Sequence, residues 1–484
     1  MPNYSATRQE YNDALPSWKL VKRCVAGARE IRKHDEYLPM PDPTNRSDEN
    51  LERYQQLKKR AMFLNITGRT RTGLLGAVFR KTAEVELPDA VQYLLENTSG
   101  DGTSLEQVSK EAVGECLDTG RGGFLADHPR VEGESGRPRT AAESAGMQAW
   151  IHHYPALSII NWREDVIKGR KQLTLVVLLE LINKPSEDGF TFDPVEQYRV
   201  LLLDNGTYKQ RVYSDDSPDG EETIPTDKAG KLFDHIPFHF YGAENNDAAV
   251  DKGPLEDIAD VNVLHYGNSA TVEEAGFIAS QPTLFITTSI SADEWVKANP
   301  NGIHIGSRRG HNLGATGTAK LVQAEETQLA RELMKDKETQ MQMIGARIVQ
   351  QAGGAETAEA VRIRYSSDNS VLGTIAGNVS EAMRLAILEA QRFMMGEPNE
   401  AKTVFWLNQE FFDETMDAQM IMAQVQLWQQ GIIAKRDLRT NLRQAGTIES
   451  DRTDEDIDDD IEAQPPVTGN ATGNDPPPGE VDEQ

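Results

Sequence analysis

The pattern that most constrains this chain lies between residues 324 and 350. Leu329, Leu333, Met341, Ile344 and Ile348 fall on one stripe of a helix. The opposite face carries Glu325, Glu326, Glu332, Asp336 and Glu338, alternating with Arg331, Lys335 and Lys337. This is an amphipathic helix in the plain sense of the 3.6-residue period. At 1.5 Å per residue it is about 40 Å long, a rod whose apolar stripe must be covered along its length. Leu255–Ala279, opened by Pro254, is a second helix, since proline is suited to a helix start. Thr357–Met395 is a further helical region, separated from the rod by a short Gly-Gly loop, Gln351–Glu356. Asp413–Gln430 and Lys435–Gln444 also read as helices, ended by Gly431 and Gly446.

Ahead of the rod the period changes. Residues 1–125 read mainly as helix, including an apolar stripe from Tyr54 to Arg80 interrupted by Gly68 and Gly73. Asp89–Asn97 is a short helix after Pro88, and Ser104 is an N-cap for Ser104–Leu117. Phe124–Asp127 is a brief strand, and Arg130–Ala145 a polar loop. Ala156–Ile160, Leu173–Ile182, Gln197–Leu203, Tyr208–Tyr213 and Pro237–Tyr241 are strands. Asp204-Asn205-Gly206 is a hairpin turn, because Asn and Gly tolerate the positive φ that a two-residue turn needs. Pro282–Ile290 is a strand before the Gly-rich stretch Gly302–Gly317, and Val404–Phe412 is another strand. The fold class is α+β.

Charge narrows the function. The 484 residues carry a formal net charge of −27, from 77 acidic and 50 basic residues. Residues 451–484 hold twelve acids and one base, with five prolines and three glycines, leaving −16 on the rest. Such a segment buries too little apolar surface to offset its ordering entropy and reads as a disordered acidic tail, either solubilising or directed at a basic partner. A tight nucleic-acid binder is disfavoured by the negative charge. Two cysteines, Cys24 and Cys116, make neither a disulfide framework nor a thiolate metal site. The most apolar run, Leu173–Ile182, is too short to span a bilayer and contains Glu180. No membrane partner is expected.

The search for catalytic constellations comes back nearly empty. GxxxxGK[ST], HExxH, GxSxG, GxGxxG and CxxC are all absent. His152-His153 is an adjacent pair that a strand would point to opposite faces, a poor chelate. Asp456–Asp460 lacks the Gly and Glu of a Ca²⁺ loop. Three basic clusters stand out: Lys19, Lys22, Arg23, Arg29, Arg32 and Lys33; Arg69, Arg71, Arg80 and Lys81; and Arg308, Arg309 and His311. The third is the best placed to touch phosphate, because flexible glycines let arginines approach a polyanion. No cofactor and no metal are expected.

Several segments carry a likeness to a known family. FLNITGRTRTGLLGAVFRK at 63–81, VQYLLENTSGDGTSLEQVSKEAVGECLDTGRGGFLADHP at 91–129 and IINW at 159–162 resemble tailed-bacteriophage portal proteins. The closest resemblance is to the portal-like family first catalogued as a domain of unknown function. It continues through HIPFHFYG (235–242), PLEDIADVNVLHYGNSA (254–270), IHIGSRRG (303–310), MIGARIVQ (343–350), ETAEA (356–360) and GIIAKRDLRTNL (431–442). These matches are diffuse, but they keep the family's order over about 400 residues.

The resemblance implies a portal fold. Residues 1–253 would be an α/β wing, 254–279 stem helix 1, 280–323 a small clip and 324–350 stem helix 2. Residues 351–356 would form the tunnel loop, 357–412 the long wing helix (kinked at Gly373 and Gly377) with its returning strand, 413–450 a helical crown and 451–484 the disordered acidic tail. It implies a homo-oligomeric ring, commonly of twelve subunits, at one capsid vertex of the virion, assembled in the host cytoplasm. Double-stranded DNA would be packaged and ejected through its channel. Terminase large subunit and a head–tail adaptor would dock on it, and major capsid and scaffolding proteins would surround it. By position, Arg308, Arg309, His311 and Lys320 would meet DNA or an adaptor, and Arg347, Gln350 and Gln351 would line the constriction. The chain would not be an enzyme. The readings it competes with are a phage-encoded metal-dependent nuclease or hydrolase using Asp118, Asp127 and Asp165, and a small-oligomer scaffold or adaptor.

Overall fold

The computed structural model describes residues 3–128, 147–186, 189–215, 217–281, 283–288, 290–300, 316–323, 328–349, 370–409, 411, 425–426, 428, 432, 434–444 and 452–462. The chain divides into two compact units, Met1–Gln409 and Glu410–Gln484. Helices and strands are mixed in an α+β fold.

The first unit opens with α1 (Gln9–Ala26), which buries Tyr11, Trp18, Val21 and Cys24 at helical spacing. Gly27, at φ 90°, ends it and leads into the single turn α2 (Ala28–Ile31). Then come α3 (Asp48–Arg60) and α4 (Ile66–Val78). These are two helices, not one run broken at Gly68 and Gly73. The break falls between Arg60 and Ile66, where Asn65 caps α4 by accepting from the Gly68 amide at 2.8 Å. After β1 (Glu84–Glu86) and a 3-10 turn at Asp89–Leu95 comes α5 (Leu105–Thr119), capped as expected by Ser104 and ended by Gly120 in the left-handed region.

The strand β2 (Arg121–Asp127) is the centre of a three-stranded antiparallel sheet, flanked by β3 (Trp150–Pro155) and β9 (Phe238–Gly242). Here glycine is required by space: the rings of Tyr241 and Phe238 fill the positions a Cβ would need at Gly122 and Gly123. Between β3 and β9 the chain builds a five-stranded antiparallel meander, β4 (Ile159–Ile167), β5 (Arg170–Pro185), β6 (Phe192–Asp204), β7 (Thr207–Ser214) and β8 (Ser217–Thr223). Residues Ala156–Ser158, read as strand from sequence, form a 3-10 turn that leads into β4. The Asn205-Gly206 turn joins β6 to β7 with both residues at positive φ (50° and 77°), as the dipeptide predicts. β5 is about 50 Å long at 3.4 Å per residue, and its far end pairs with β6 as an arm that leaves Leu181, Phe190 and Phe192 exposed.

The helices α6 (Glu256–Ala279) and α8 (Gln328–Val349) pack together, with β10 (Thr283–Thr287), α7 (Ala292–Ala298) and β11 (Thr318–Val322) between them in sequence. The helix α9 (Val371–Met395) then runs unbroken through Gly373 and Gly377. It buries Leu372, Ile375, Val379, Met383, Ile387 and Phe393 against β2, β9 and α5. Among the described residues it is the one helix long and apolar enough to cross a membrane by length and composition, and 56% of its apolar window is buried inside the fold. The strand predicted at Val404–Phe412 is only β12 (Val404–Trp406), paired with β1. It stops because the Leu407 amide turns away to bond the Ser380 hydroxyl of α9.

In the second unit, α10 (Lys435–Gln444) and α11 (Asp454–Glu462) are described. The latter corrects the expectation of disorder from residue 451: Thr453 caps it, and ion pairs from Asp454 and Asp458 to α10 hold it. Residues 463–484, the Arg130–Ala145 loop, the Gln351–Glu356 loop and nearly all of Asp413–Gln430 lie outside the described residues.

Candidate functional site

The feature that departs from a closed core is the α6–α8 helix pair and the ribbon at its end. The start of α6 is tied down, because the Leu255 amide donates to Leu117 O and Glu256 and Asp257 complement the positive end of the helix dipole. Its inner face is then locked to α3, α4 and the loop between them by hydrogen bonds and ion pairs. Asn262 Oδ1 accepts from both the amide (3.2 Å) and the hydroxyl (2.9 Å) of Thr67, while Nδ2 donates to Leu64 O at 2.8 Å. Two turns on, the Ser269 hydroxyl accepts from the Met62 amide at 2.7 Å and donates to Met62 O at 2.8 Å. Glu274 pairs with Arg53 and Arg60, and the Arg60 guanidinium lies 4.1 Å over the Phe277 ring.

α8 runs antiparallel to α6. Gln323, just before it, donates to Ala279 O at 2.8 Å; Glu338 lies 3.2 Å from His265; and Gly345 sits against Ile258 and Thr70. His265 is fully buried, and its Nε2–Glu338 contact crosses the interface between the helices. Met341 and Ile348, predicted on the apolar stripe, are buried. Leu329 and Leu333, from the same stripe, are exposed at 63% and 41%, and so are Met343 on α8 and Leu264 and Ile278 on α6. The pair therefore covers only part of its own apolar surface.

At its end, β10 and β11 form a two-stranded antiparallel ribbon with Phe285 opposite Lys320. Every residue of β11 is exposed, and Phe285, Leu321 and Val322 present apolar side chains to solvent. A two-stranded ribbon is marginally stable by itself. The short helix α7 beside it in sequence is fixed by a capping box between Ser291 and Glu294.

Of the residues picked out by sequence, Lys320 stands on this ribbon and Arg347 in the last turn of α8, both exposed. The two sit on different elements of the same helix pair and ribbon. Arg308, Arg309, His311, Gln350 and Gln351 lie outside the described residues. Sequence reasoning missed His265, Asn262 and Ser269, and it placed Glu338 on the charged face of α8 without a partner. The only signal of the first three was polar residues on the buried side of a helix, which does not name a partner.

The carboxylates of the nuclease reading occupy separate places, each with its own partners. Asp118 pairs with Arg71 Nε at 2.7 Å, and burial still pushes its carboxyl up to about 6. Asp127 accepts from Gln210 at 3.1 Å and faces Arg199 at 3.3 Å, within a network that continues to Glu180 and Tyr154. Asp165 accepts from the Thr174 hydroxyl on the edge of the meander. Among the described residues, no group of three or more His, Cys, Asp or Glu side chains is placed to hold a metal ion. His153 Nε2 sits 2.6 Å from the Tyr241 hydroxyl, and both cysteines are buried thiols pushed up by burial. In the first basic cluster, Lys22 pairs with Glu115, Arg23 with Glu36, and Arg32 donates to Ala61 O.

What this geometry defines is an α+β body with a long helix pair and an exposed ribbon at its end. Residues 254–394, from the start of that pair to the end of α9, match the family described as Domain of unknown function (DUF4055). No curated protein matches the chain. Among solved structures it is similar to a chain of the neck of an empty GTA particle computed with C6 symmetry, at TM-score 0.39 and 14% identity, over 80% of this chain and 92% of that one. A chain of the neck of the native GTA particle computed with C12 symmetry is similar at TM-score 0.37 and 16% identity, over 79% and 91%.

Proposed function

We propose that this chain is the repeated subunit of a phage head–neck structure, and more specifically of a portal ring at one capsid vertex. In this reading α6 and α8 are the stem, the β10–β11 ribbon belongs to the clip, and the body around β2 and α9 is the wing. One observation carries it: the helix pair leaves Leu264, Ile278, Leu329, Leu333 and Met343 uncovered along both helices. A row of identical pairs around a closed ring covers such faces repeatedly, each subunit using one side against its neighbour's other side. The order of resembling segments from residue 63 to 442 supports the same assignment.

The role is structural, with DNA transport powered by a separate terminase. Duplex DNA passes through the ring, and a subunit of net charge −27 neutralises few phosphates, so the DNA slides without being held. Lys320, with Arg308, Arg309 and His311, serves the clip, where terminase and later the adaptor dock. Arg347, Gln350 and Gln351 stand at the constriction. Twelve copies, a place in the virion and assembly among scaffolding and major capsid proteins in the host cytoplasm complete the reading.

Native mass spectrometry and negative-stain imaging test it. A ring near twelve copies with a central hole is the expected result. A monomer that cleaves DNA with Mg²⁺ would return the nuclease reading, and a dimer the adaptor reading.

A further inference from the structure

In the C-terminal unit, Lys435, Arg439 and Arg443 lie at i, i+4 and i+8 on α10, one row along one face. The row spans about 12 Å at 1.5 Å per residue. α11 lies antiparallel against it and presents Asp454 and Asp458, also one turn apart. Arg439 puts two nitrogens on Asp458, Nη1 at 3.0 Å and Nη2 at 2.5 Å; Lys435 reaches the same carboxylate; Arg443 takes Asp454 and donates to Arg452 O at 3.0 Å. Arg439 also donates to Asp454 O at 3.2 Å.

We propose that this basic row is a binding site for the phosphate backbone of duplex DNA, and that α11 is an internal acidic strap occupying it in the uncomplexed chain.

Three features support this. The guanidinium fork that takes Asp458 matches phosphate oxygens as well as carboxylate oxygens. One DNA strand offers a phosphate about every 3.4 Å of axis, so the row faces three or four of them where α11 offers two carboxylates. The strap is also held by charge: among the described residues of this unit, Leu438 and Ile457 are the buried apolar side chains, and the carboxylates of Asp454 and Asp458 remain 35% and 47% exposed, while the Arg439 side chain is 7% exposed. Exposed ion pairs are individually weak and screened by salt, hence exchangeable for another polyanion. Tethering keeps the strap at high effective concentration, so the intact chain binds DNA weakly.

The inference does not depend on ring formation. Its test uses the full chain and a short blunt DNA duplex followed by fluorescence anisotropy across a salt series. The double variant Asp454→Asn/Asp458→Asn should bind at least about tenfold tighter than the unmodified chain at low salt. Its log–log salt slope should be steeper by about 2.7, the value for three neutralised phosphates. Adding Lys435→Gln, Arg439→Gln and Arg443→Gln should remove the gain. The variant Glu480→Gln/Asp482→Asn makes the same change in net charge and should show no such gain. An equal gain in that control, or a gain that survives loss of the basic row, overturns the proposal. Where the Asn variant loses helix, amide exchange on the unmodified chain decides: saturating duplex should deprotect α11 while α10 stays protected. Unchanged α11 protection overturns it as well. A ring seen without these changes leaves the portal reading standing, and the converse also holds.

Discussion

The helix α9 and the helix pair α6–α8 are of similar length, yet they bury themselves differently. α9 lies against β2, β9, α5 and β12, and its apolar positions from Leu372 to Phe393 are enclosed by its own chain. The α6–α8 pair spends its buried face on polar locks, Asn262 to Thr67 and Leu64, Ser269 to Met62, His265 to Glu338, and leaves leucines outside. A helix completed within the subunit is built for stability. One fixed by polar registration and left apolar outside is built to meet something else.

The largest break of this contrast is in the core. Ile387→Ala removes a fully buried side chain from α9 and should cost about 2–5 kcal/mol of unfolding free energy in urea titration. The pH response should come from the same helix's partners. Burial holds the His239 imidazole down to about 4. Its folded value is depressed, so the unfolded chain takes up the proton first, and stability falls as pH drops from about 6.5 toward 4. The full shift corresponds to roughly 3 kcal/mol. His235 works in the opposite direction. It is also desolvated, but Glu389 at 3.0 Å and Asp234 raise its value overall, so its contribution is present below about 6.5 and is lost as pH rises through the folded value. Comparing the unmodified chain with His239→Gln at pH 7 and pH 5 isolates the first effect, which should vanish in the variant.

Smaller effects belong to the α6–α8 pair. Asn262→Ala strands the Thr67 amide and hydroxyl inside the fold and should cost about 1–3 kcal/mol. Leu333→Ser should change subunit unfolding by no more than about 0.5 kcal/mol, since it alters an exposed position. If the uncovered face is an intersubunit seam, the same variant should lower the ring fraction in native mass spectrometry. An unchanged ring would show that Leu333 faces solvent in the assembly too.

Much of this fold is legible locally. Ser104, Asn205-Gly206 and the helical spacing in α8 announce their elements because capping, positive φ and the 3.6 period depend on near neighbours. Where the sequence reading went astray, distant groups decided. β12 ends at Trp406 because Ser380 claims the next amide, and α11 is ordered because Arg439 and Arg443 hold its carboxylates. The site on the α6–α8 pair was half visible. Its long apolar stripe can be read from residues 324–350, whereas the split between Met341 and Ile348 inside and Leu329 and Leu333 outside cannot, since periodicity gives a face and not its occupant.

Chain chemistry alone thus settles where the strongest caps, turns and helical periods fall, and where the acidic charge accumulates, because those follow from propensity, period and ionisation. Long-range packing settles the rest: the glycines of β2 that admit Tyr241 and Phe238, the burial of His265 against Glu338, and the leucines left uncovered. The first two depend on surfaces meeting across 73 to 119 residues of chain, and no local pattern encodes the second surface.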